Sequence, residues 1–151
     1  MKEFISLKDK LKEDAVTEKI IYYYIKKLFP ETIGSYKTNW LGKMELDIYI
    51  PSLKFAIEYD GQQWHKDKYQ HDLDKIKFCK TNGVKLYKIR EPKCPILPSK
   101  SVYQLKTLKK QELEEVLNEL VNILSKKIRK VLKIDINIAR DIDEIQKLLE
   151  K

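Results

Sequence analysis

Cysteine, glycine and proline are all scarce in this chain of 151 residues, and each shortage excludes a class of protein. The two cysteines, Cys79 and Cys94, are too few for a disulfide framework or a four-thiolate zinc site, so we expect reduced thiols. Four glycines and five prolines exclude a collagen-like or low-complexity chain. No apolar run approaches the ~20 residues that span a bilayer. The charged beginning of the chain is not typical of a secretory signal, so we expect a protein without a membrane partner.

The charge balance is basic. Lys and Arg number 31 against 23 Asp and Glu, which gives a net charge of +8. This balance favours polyanionic partners, with nucleic acid first, although a solvated lysine-rich surface would give the same balance. We expect a cytoplasmic protein of bacterial, archaeal or phage origin. The hydrophobic fraction of 42% is sufficient to form one core.

The hydrophobic pattern predicts an α/β fold with a helical C-terminal extension. Residues 44–50 and 54–60 alternate as strands do, and the Pro51-Ser52 turn between them predicts an antiparallel hairpin. A third strand is expected over 84–90, and a short strand with a turn within 31–43. We expect one core over residues 1–99, with its N-terminal helix, and a helical extension over 100–151 packed on the same domain.

Helices are predicted where apolar residues recur at helical spacing. Thr17 is expected to cap the first helix and Pro30 to end it, while Asn82-Gly83 should stop the helix over 72–81. The last helix is expected to be capped by Asp141. A long helix is predicted over 109–132, and residues 133–138 alternate briefly.

Five polar residues stand where this layout could bring them together. Carboxylates placed close together usually need a proton or a cation between them, and hard oxygen ligands suit Mg²⁺ or Mn²⁺. A histidine beside them is a candidate base, because its pKa lies near neutral pH. The chemistry that fits is metal-assisted hydrolysis of a phosphodiester. The five residues are Glu18, Asp47, Glu58, Asp60 and His65, and the nearby cations that would attract the phosphate include Lys66, Lys68 and Lys75.

Each of these residues also has a purely structural interpretation. Glu18 near a helix start is favourable for the helix dipole alone. Asp47 lies on a strand face that could be solvated, and His65 by itself is typical of an ordinary surface residue. The pair Glu58 and Asp60 is harder to explain in this way, because a hydrophobic strand runs directly into two like charges.

The motif resembles the PD-(D/E)XK nuclease superfamily, and within it the very short patch repair endonucleases and the EDxHD homing endonucleases. Those families carry a helix Glu after a small polar residue, a strand Asp, a second strand ending in Gly, and a Trp-His pair. The resemblance covers residues 15 to 91. Here these features are Thr17-Glu18, Asp47, Gly61 and Trp64-His65, with Asp72 as the downstream acid and Asp74 as a weaker alternative.

The resemblance implies a restriction-endonuclease-like core, with a mixed central sheet flanked by helices, and a role for each residue. Asp47 would be the principal metal ligand, Glu58 the second acidic ligand and His65 the general base. Glu18 would reach the metal or its water, and Asp72 would orient His65 or a water molecule. The cofactor would be Mg²⁺, with Mn²⁺ able to substitute, and the partner DNA, with a homodimer possible. The expected DNA contacts are Trp64, Lys66, Lys68, Tyr69, Lys75 and Arg90, although loop packing would equally explain Trp64 and Tyr69.

The chain departs from the family pattern at two points. Asp60 replaces the signature lysine, so either Asp60 joins the metal site or His65 or Lys75 takes over the missing positive charge. The structural zinc of the patch repair enzymes is not expected, because Cys79, Cys94 and His71 have poor spacing for it. The leading hypothesis is a metal-dependent DNA endonuclease. Its alternatives are an inactive nucleic-acid-binding domain of the same fold and a structural protein with acidic surface residues.

Overall fold

The computed structural model describes residues 13–61 and 68–149, which form two compact units. One unit is built from residues 31–106. The other joins the N-terminal helix, up to residue 30, with the chain from residue 107 onward. Helix α1 (Glu13–Leu28), which the sequence analysis assigned to the core, therefore groups with the C-terminal helices. Within the described residues, no helix is both long and apolar enough to cross a membrane.

The unit over residues 31–106 is built on a five-stranded mixed sheet, which confirms the α/β class. Its strand order is β1-β2-β3-β4-β5, with antiparallel pairing from β1 to β3 and parallel pairing from β3 to β5. Helix α2 (Lys68–Thr81) connects the parallel strands β3 and β4, as parallel pairing requires a crossover. The strands are β1 (Ile33–Tyr36), β2 (Leu46–Ile50), β3 (Phe55–Asp60), β4 (Lys85–Arg90) and β5 (Val102–Gln104).

The predicted hairpin of β2 and β3 is confirmed. The two strands are joined by a short 3₁₀ turn, Pro51–Leu53, and Lys54 closes the turn with a φ of 47°. Proline suits the first position of such a turn because its ring fixes φ near the required value. The pairing then begins at once, with Ile50 opposite Phe55.

Helix α2 covers one face of this sheet. Its residue Cys79 packs with Tyr49, Ala56 and Leu86 in a buried cluster. The helix stops at Asn82-Gly83 as expected, because Gly83 adopts a φ of 73° that glycine accommodates without strain. It begins at residue 68, four residues before the predicted start at 72.

Two helix starts were predicted wrongly in the other unit. Helix α1 begins at Glu13, so Thr17 lies inside the helix with a buried side chain and is not its N-terminal cap. The last helix, α4 (Ile138–Leu149), is capped by Asn137, whose side chain accepts a hydrogen bond from the backbone N–H of Arg140 at 3.0 Å. Asp141 therefore lies in the first turn of α4 and not at its cap. The long helix is α3 (Lys110–Ile128), and the chain from 131 to 137 forms no strand.

Helices α1 and α4 are joined by tyrosine–carboxylate hydrogen bonds. The buried Tyr24 hydroxyl donates to Asp141 Oδ2 at 2.7 Å and accepts from the backbone N–H of Asn137 at 3.2 Å. Tyr23 donates in the same way to Glu144. Because buried polar groups are costly when left unpaired, these bonds fix how the two helices pack.

We predict that Tyr24→Phe lowers the free energy of unfolding by about 1–3 kcal/mol, since it removes a hydroxyl that satisfies both a carboxylate and a backbone N–H. Urea denaturation measures the change. Tyr22→Phe is the matched control, because Tyr22 is half-exposed on the same helix, and its change should stay within about 0.5 kcal/mol. Equal effects of the two substitutions would contradict the prediction.

Candidate active site where strands β2 and β3 separate

Asp47 and Glu58 face each other at the point where β2 and β3 separate. The backbone N–H of Asp47 donates to Glu58 Oε2 at 2.8 Å, and the N–H of Tyr59 donates to Asp47 Oδ2 at 3.0 Å. Each carboxylate thus accepts a hydrogen bond from the backbone of the opposite strand, just beyond the last paired residues, Ile48 and Ile57. Because the strands separate here, these two backbone N–H groups donate to the carboxylates instead of pairing with the opposite backbone. The two hydrogen bonds hold both carboxylates in defined positions.

Lys75 of helix α2 completes this cluster. Its ammonium donates to Glu58 Oε1 and, at 2.7 Å, to the backbone carbonyl of Glu45. Lys75 and Glu58 are only 8% and 3% exposed, so the pair is shielded from solvent. We therefore assign Lys75 to the acidic cluster and remove it from the residues expected to contact DNA.

The surroundings of Glu58 keep its carboxylate ionised. Burial raises the pKa of Glu58, but the ammonium groups of Lys75 and Lys88 lower it by more, so the net pKa lies below its ordinary value. Burial likewise lowers the pKa of Lys75, and the charge of Glu58 raises it above its ordinary value. The two groups therefore form a charged pair across the neutral range.

Asp60 belongs to a second, adjoining cluster of ion pairs. Its Oδ2 lies 2.5 Å from Arg90 Nη1 and 3.4 Å from Lys88 Nζ. The same two cations approach Asp72, with Arg90 Nη1 at 3.3 Å and Lys88 Nζ at 3.8 Å. Burial raises the pKa of Asp60 above its ordinary value in spite of these cations. Asp60 is thus held by protein cations, and like Asp47 it is half-buried.

The expectation that Arg90 contacts DNA is wrong, because its side chain is completely buried. The parallel register explains the burial: Glu58 pairs with Lys88 and Asp60 pairs with Arg90, so acids and bases two residues apart share one face of the sheet. The sequence analysis missed Lys88. Lys88 and Arg90 alternate with Leu86 on one face of the strand, and this pattern in the sequence could have identified Lys88.

The remaining predicted site residues are placed as follows. Glu18 is half-buried on α1, in the other unit, and Lys68 and Tyr69 lie in the first turn of α2, where Lys68 is exposed. Trp64, His65 and Lys66 lie outside the described residues.

The donor set of the cluster suits magnesium. Among residues 13–61 and 68–149, no group of three or more His, Cys, Asp and Glu side chains is arranged to hold a metal. Mg²⁺, however, is commonly held by one or two carboxylates, with waters and substrate phosphates completing its octahedron. Asp47 and Glu58 supply that number of hard oxygen ligands. The thiols of Cys79 and Cys94 are buried, and burial raises the pKa of each to about 11.

We predict that Lys75→Met destabilises the protein by about 3–5 kcal/mol, because it leaves the buried Glu58 carboxylate without its partner. The double variant Glu58→Gln/Lys75→Met should recover most of that loss, since it removes both charges. Urea denaturation of the wild type, both single variants and the double variant gives the coupling energy. Lys80→Met, at an exposed position of the same helix, is the control. Additive effects of the two single substitutions would contradict the pairing.

The same pair predicts how stability depends on pH. Because the pKa of Glu58 is lowered in the folded state, its contribution is present above its ordinary pKa and is lost as the pH falls through the folded value. Lys75 has a raised pKa, so its contribution is lost only as the pH rises above the ordinary lysine range. The free energy of unfolding, measured between about pH 6 and about pH 3, should fall less steeply in the Glu58→Gln/Lys75→Met double variant than in the wild type. Identical slopes would contradict the lowered pKa.

Comparisons with family models, curated proteins and solved structures give no match for this chain. The resemblance stated above therefore rests on the residues themselves.

Proposed function

We propose that this protein is a metal-dependent DNA endonuclease that hydrolyses phosphodiester bonds. The observation that carries the proposal is the fixed pair Asp47 and Glu58, with Lys75 beside it, at the end of a buried strand. Two carboxylates from neighbouring strands and one ammonium from a helix are a donor set suited to a divalent cation and a phosphate. The net charge of +8 supports a polyanionic substrate.

The charges of the two clusters support binding of a cation. Among the described residues, the two clusters contain four carboxylates and three cationic side chains, an excess of one negative charge. The carboxylates are Asp47, Glu58, Asp60 and Asp72, and the cations are Lys75, Lys88 and Arg90. A site with this charge attracts a dication, and the bound dication then favours an anionic phosphate.

Asp47 and Glu58 would hold Mg²⁺, or Mn²⁺ in its place, and the metal would polarise the phosphate and lower the pKa of a bound water. The Tyr59 N–H orients the Asp47 carboxylate, and Lys75 keeps Glu58 ionised and in place. We propose that Lys75 supplies the positive charge that Asp60 cannot provide. His65 would accept a proton from the attacking water while the water oxygen bonds to phosphorus. The bond from phosphorus to the sugar oxygen would break, and the departing sugar oxygen would take a proton from solvent water.

One observation favours a second candidate, an inactive nucleic-acid-binding domain of the same fold. Glu58 is 3% exposed, and both of its oxygens already accept hydrogen bonds from the protein. If those bonds persist, the two clusters act as structural supports and the protein binds nucleic acid without cutting it.

A nicking assay on supercoiled plasmid DNA tests the proposal. The wild type should nick the plasmid with Mg²⁺ or Mn²⁺ and not with EDTA, and Asp47→Asn and His65→Ala should each reduce the rate by at least about a hundredfold. Asp143→Asn is the matched control, because Asp143 is an exposed carboxylate on α4 and belongs to neither cluster of acids. The appearance of linear DNA would indicate double-strand cleavage, which one metal site per subunit achieves through a homodimer or sequential nicks.

The outcomes separate the candidates. Nicking that persists in EDTA, or that survives Asp47→Asn in full, would refute a metal-dependent site at this position. Salt-sensitive DNA binding without any cleavage in either metal would identify the inactive binding domain. If the protein neither binds nor cleaves DNA, only the structural interpretation of the acidic residues remains.

A further inference from the structure

A dense group of exposed cations lies at the C-terminal end of α3. It occupies eight residues of the helical unit, all five of its charged side chains are positive, and all five are exposed. Within residues 13–61 and 68–149, none of the five has a carboxylate at ion-pair distance. We refer to this group as the basic turn: Lys126, Lys127, Arg129, Lys130 and Lys133.

The backbone of the basic turn is fixed by hydrogen bonds. Arg129 adopts a left-handed conformation, with a φ of 57°, and reverses the chain at the helix end. The N–H of Lys130 donates to the carbonyl of Ser125 at 3.1 Å, and the N–H of Leu132 donates to the hydroxyl of Ser125 at 3.0 Å. The cations are therefore displayed from an ordered surface, and little backbone entropy is lost when they meet a ligand.

Helix stability accounts for only part of this charge. Lys126 and Lys127 lie in the last turn, where cations interact favourably with the helix dipole. Arg129, Lys130 and Lys133 lie beyond the helix, and five like charges at close range repel one another. The acidic residues of α3 are all placed in its first half, where they cannot relieve that repulsion. They are Glu112, Glu114, Glu115 and Glu119.

The chemistry of the surface favours nucleic acid over a lipid surface. The apolar face of α3 is buried in the protein, so the helix has no face to insert into a bilayer. Val131 is the one strongly exposed apolar residue between Lys126 and Lys133. Duplex DNA presents a charge about every 3.4 Å along each strand, so several phosphates can lie opposite a compact group of five cations.

We propose that the basic turn is a binding surface for the phosphate backbone of nucleic acid, separate from the residues that would perform hydrolysis. The choice of nucleic acid rests in part on the proposed function. The surface would contribute to affinity for nucleic acid and not to hydrolysis. Its contribution can therefore be measured in EDTA, where no cleavage is expected.

The test is fluorescence anisotropy with a short labelled DNA duplex, in EDTA, over a series of salt concentrations. Lys127→Gln/Lys130→Gln should reduce the slope of log K against log salt by about 2, because each lost phosphate contact removes about 0.9. At about 0.1 M salt this amounts to roughly 60-fold weaker binding. The matched control is Lys109→Gln/Lys147→Gln, which removes two charges from exposed positions of the same unit and should change the slope by far less.

Each outcome decides the proposal. An unchanged slope in the Lys127→Gln/Lys130→Gln variant, or equal losses in the variant and the control, would overturn it. So would a loss of binding to vesicles of phosphatidylserine with DNA binding unchanged, which would indicate a membrane partner. Thermal unfolding of both variants verifies that they are folded. A reduced slope in a protein that never nicks DNA would refute the nuclease proposal and leave this surface intact.

Discussion

The buried ion pair of Glu58 and Lys75 is the interaction on which the candidate site depends. Glu58 lies on β3 where that strand leaves its antiparallel neighbour, and its side chain is almost completely shielded from bulk water. An unpaired carboxylate in that position would be too costly to keep ionised. Lys75, reaching from α2, makes the charge tolerable and at the same time ties the helix to the sheet through the carbonyl of Glu45.

The adjoining cluster applies the same principle across the parallel strands. Asp60 and Asp72 are each approached by both Lys88 and Arg90, so each of these four charges has an opposite charge within about 4 Å. Among the described residues, Lys88 Nζ makes no hydrogen bond and is held by charge alone. Glu58 and Asp72 are buried, whereas Asp47 and Asp60 are the half-buried acids of the two clusters.

In the helical unit, the residues that stabilise the interior differ from the charged residues on the surface. Its interior is fixed by the apolar face of α3 and by the tyrosine–carboxylate bonds between α1 and α4. Its surface carries the basic turn, whose charges contribute little to folding. In the functions proposed here, one unit supplies chemistry and the other supplies affinity for a polyanion. Such a division would let the binding surface vary without disturbing the acidic cluster.

Local sequence was sufficient for the parts of the fold that depend on neighbouring residues. Pro51-Ser52 between two alternating segments predicted the hairpin, and Asn82-Gly83 predicted the end of α2, because turn and stop signals act within a few residues. The same reasoning failed at Thr17 and Asp141. At Asp141 the cap is Asn137, and propensity alone does not choose between two residues that both cap well.

The candidate site also has a part that the sequence identified and a part that only the tertiary structure decided. The residues of the acidic pair, Asp47 and Glu58, could be selected from the sequence, because carboxylates are unusual in strands. Which cations would meet them was decided by tertiary structure. The crossover through α2 sets β4 parallel to β3, and their register brings Lys88 and Arg90 beside Glu58 and Asp60. Lys75 reaches Glu58 from helix α2. Pairing between strands so distant in the chain depends on the packing of the whole sheet, and no local pattern encodes it.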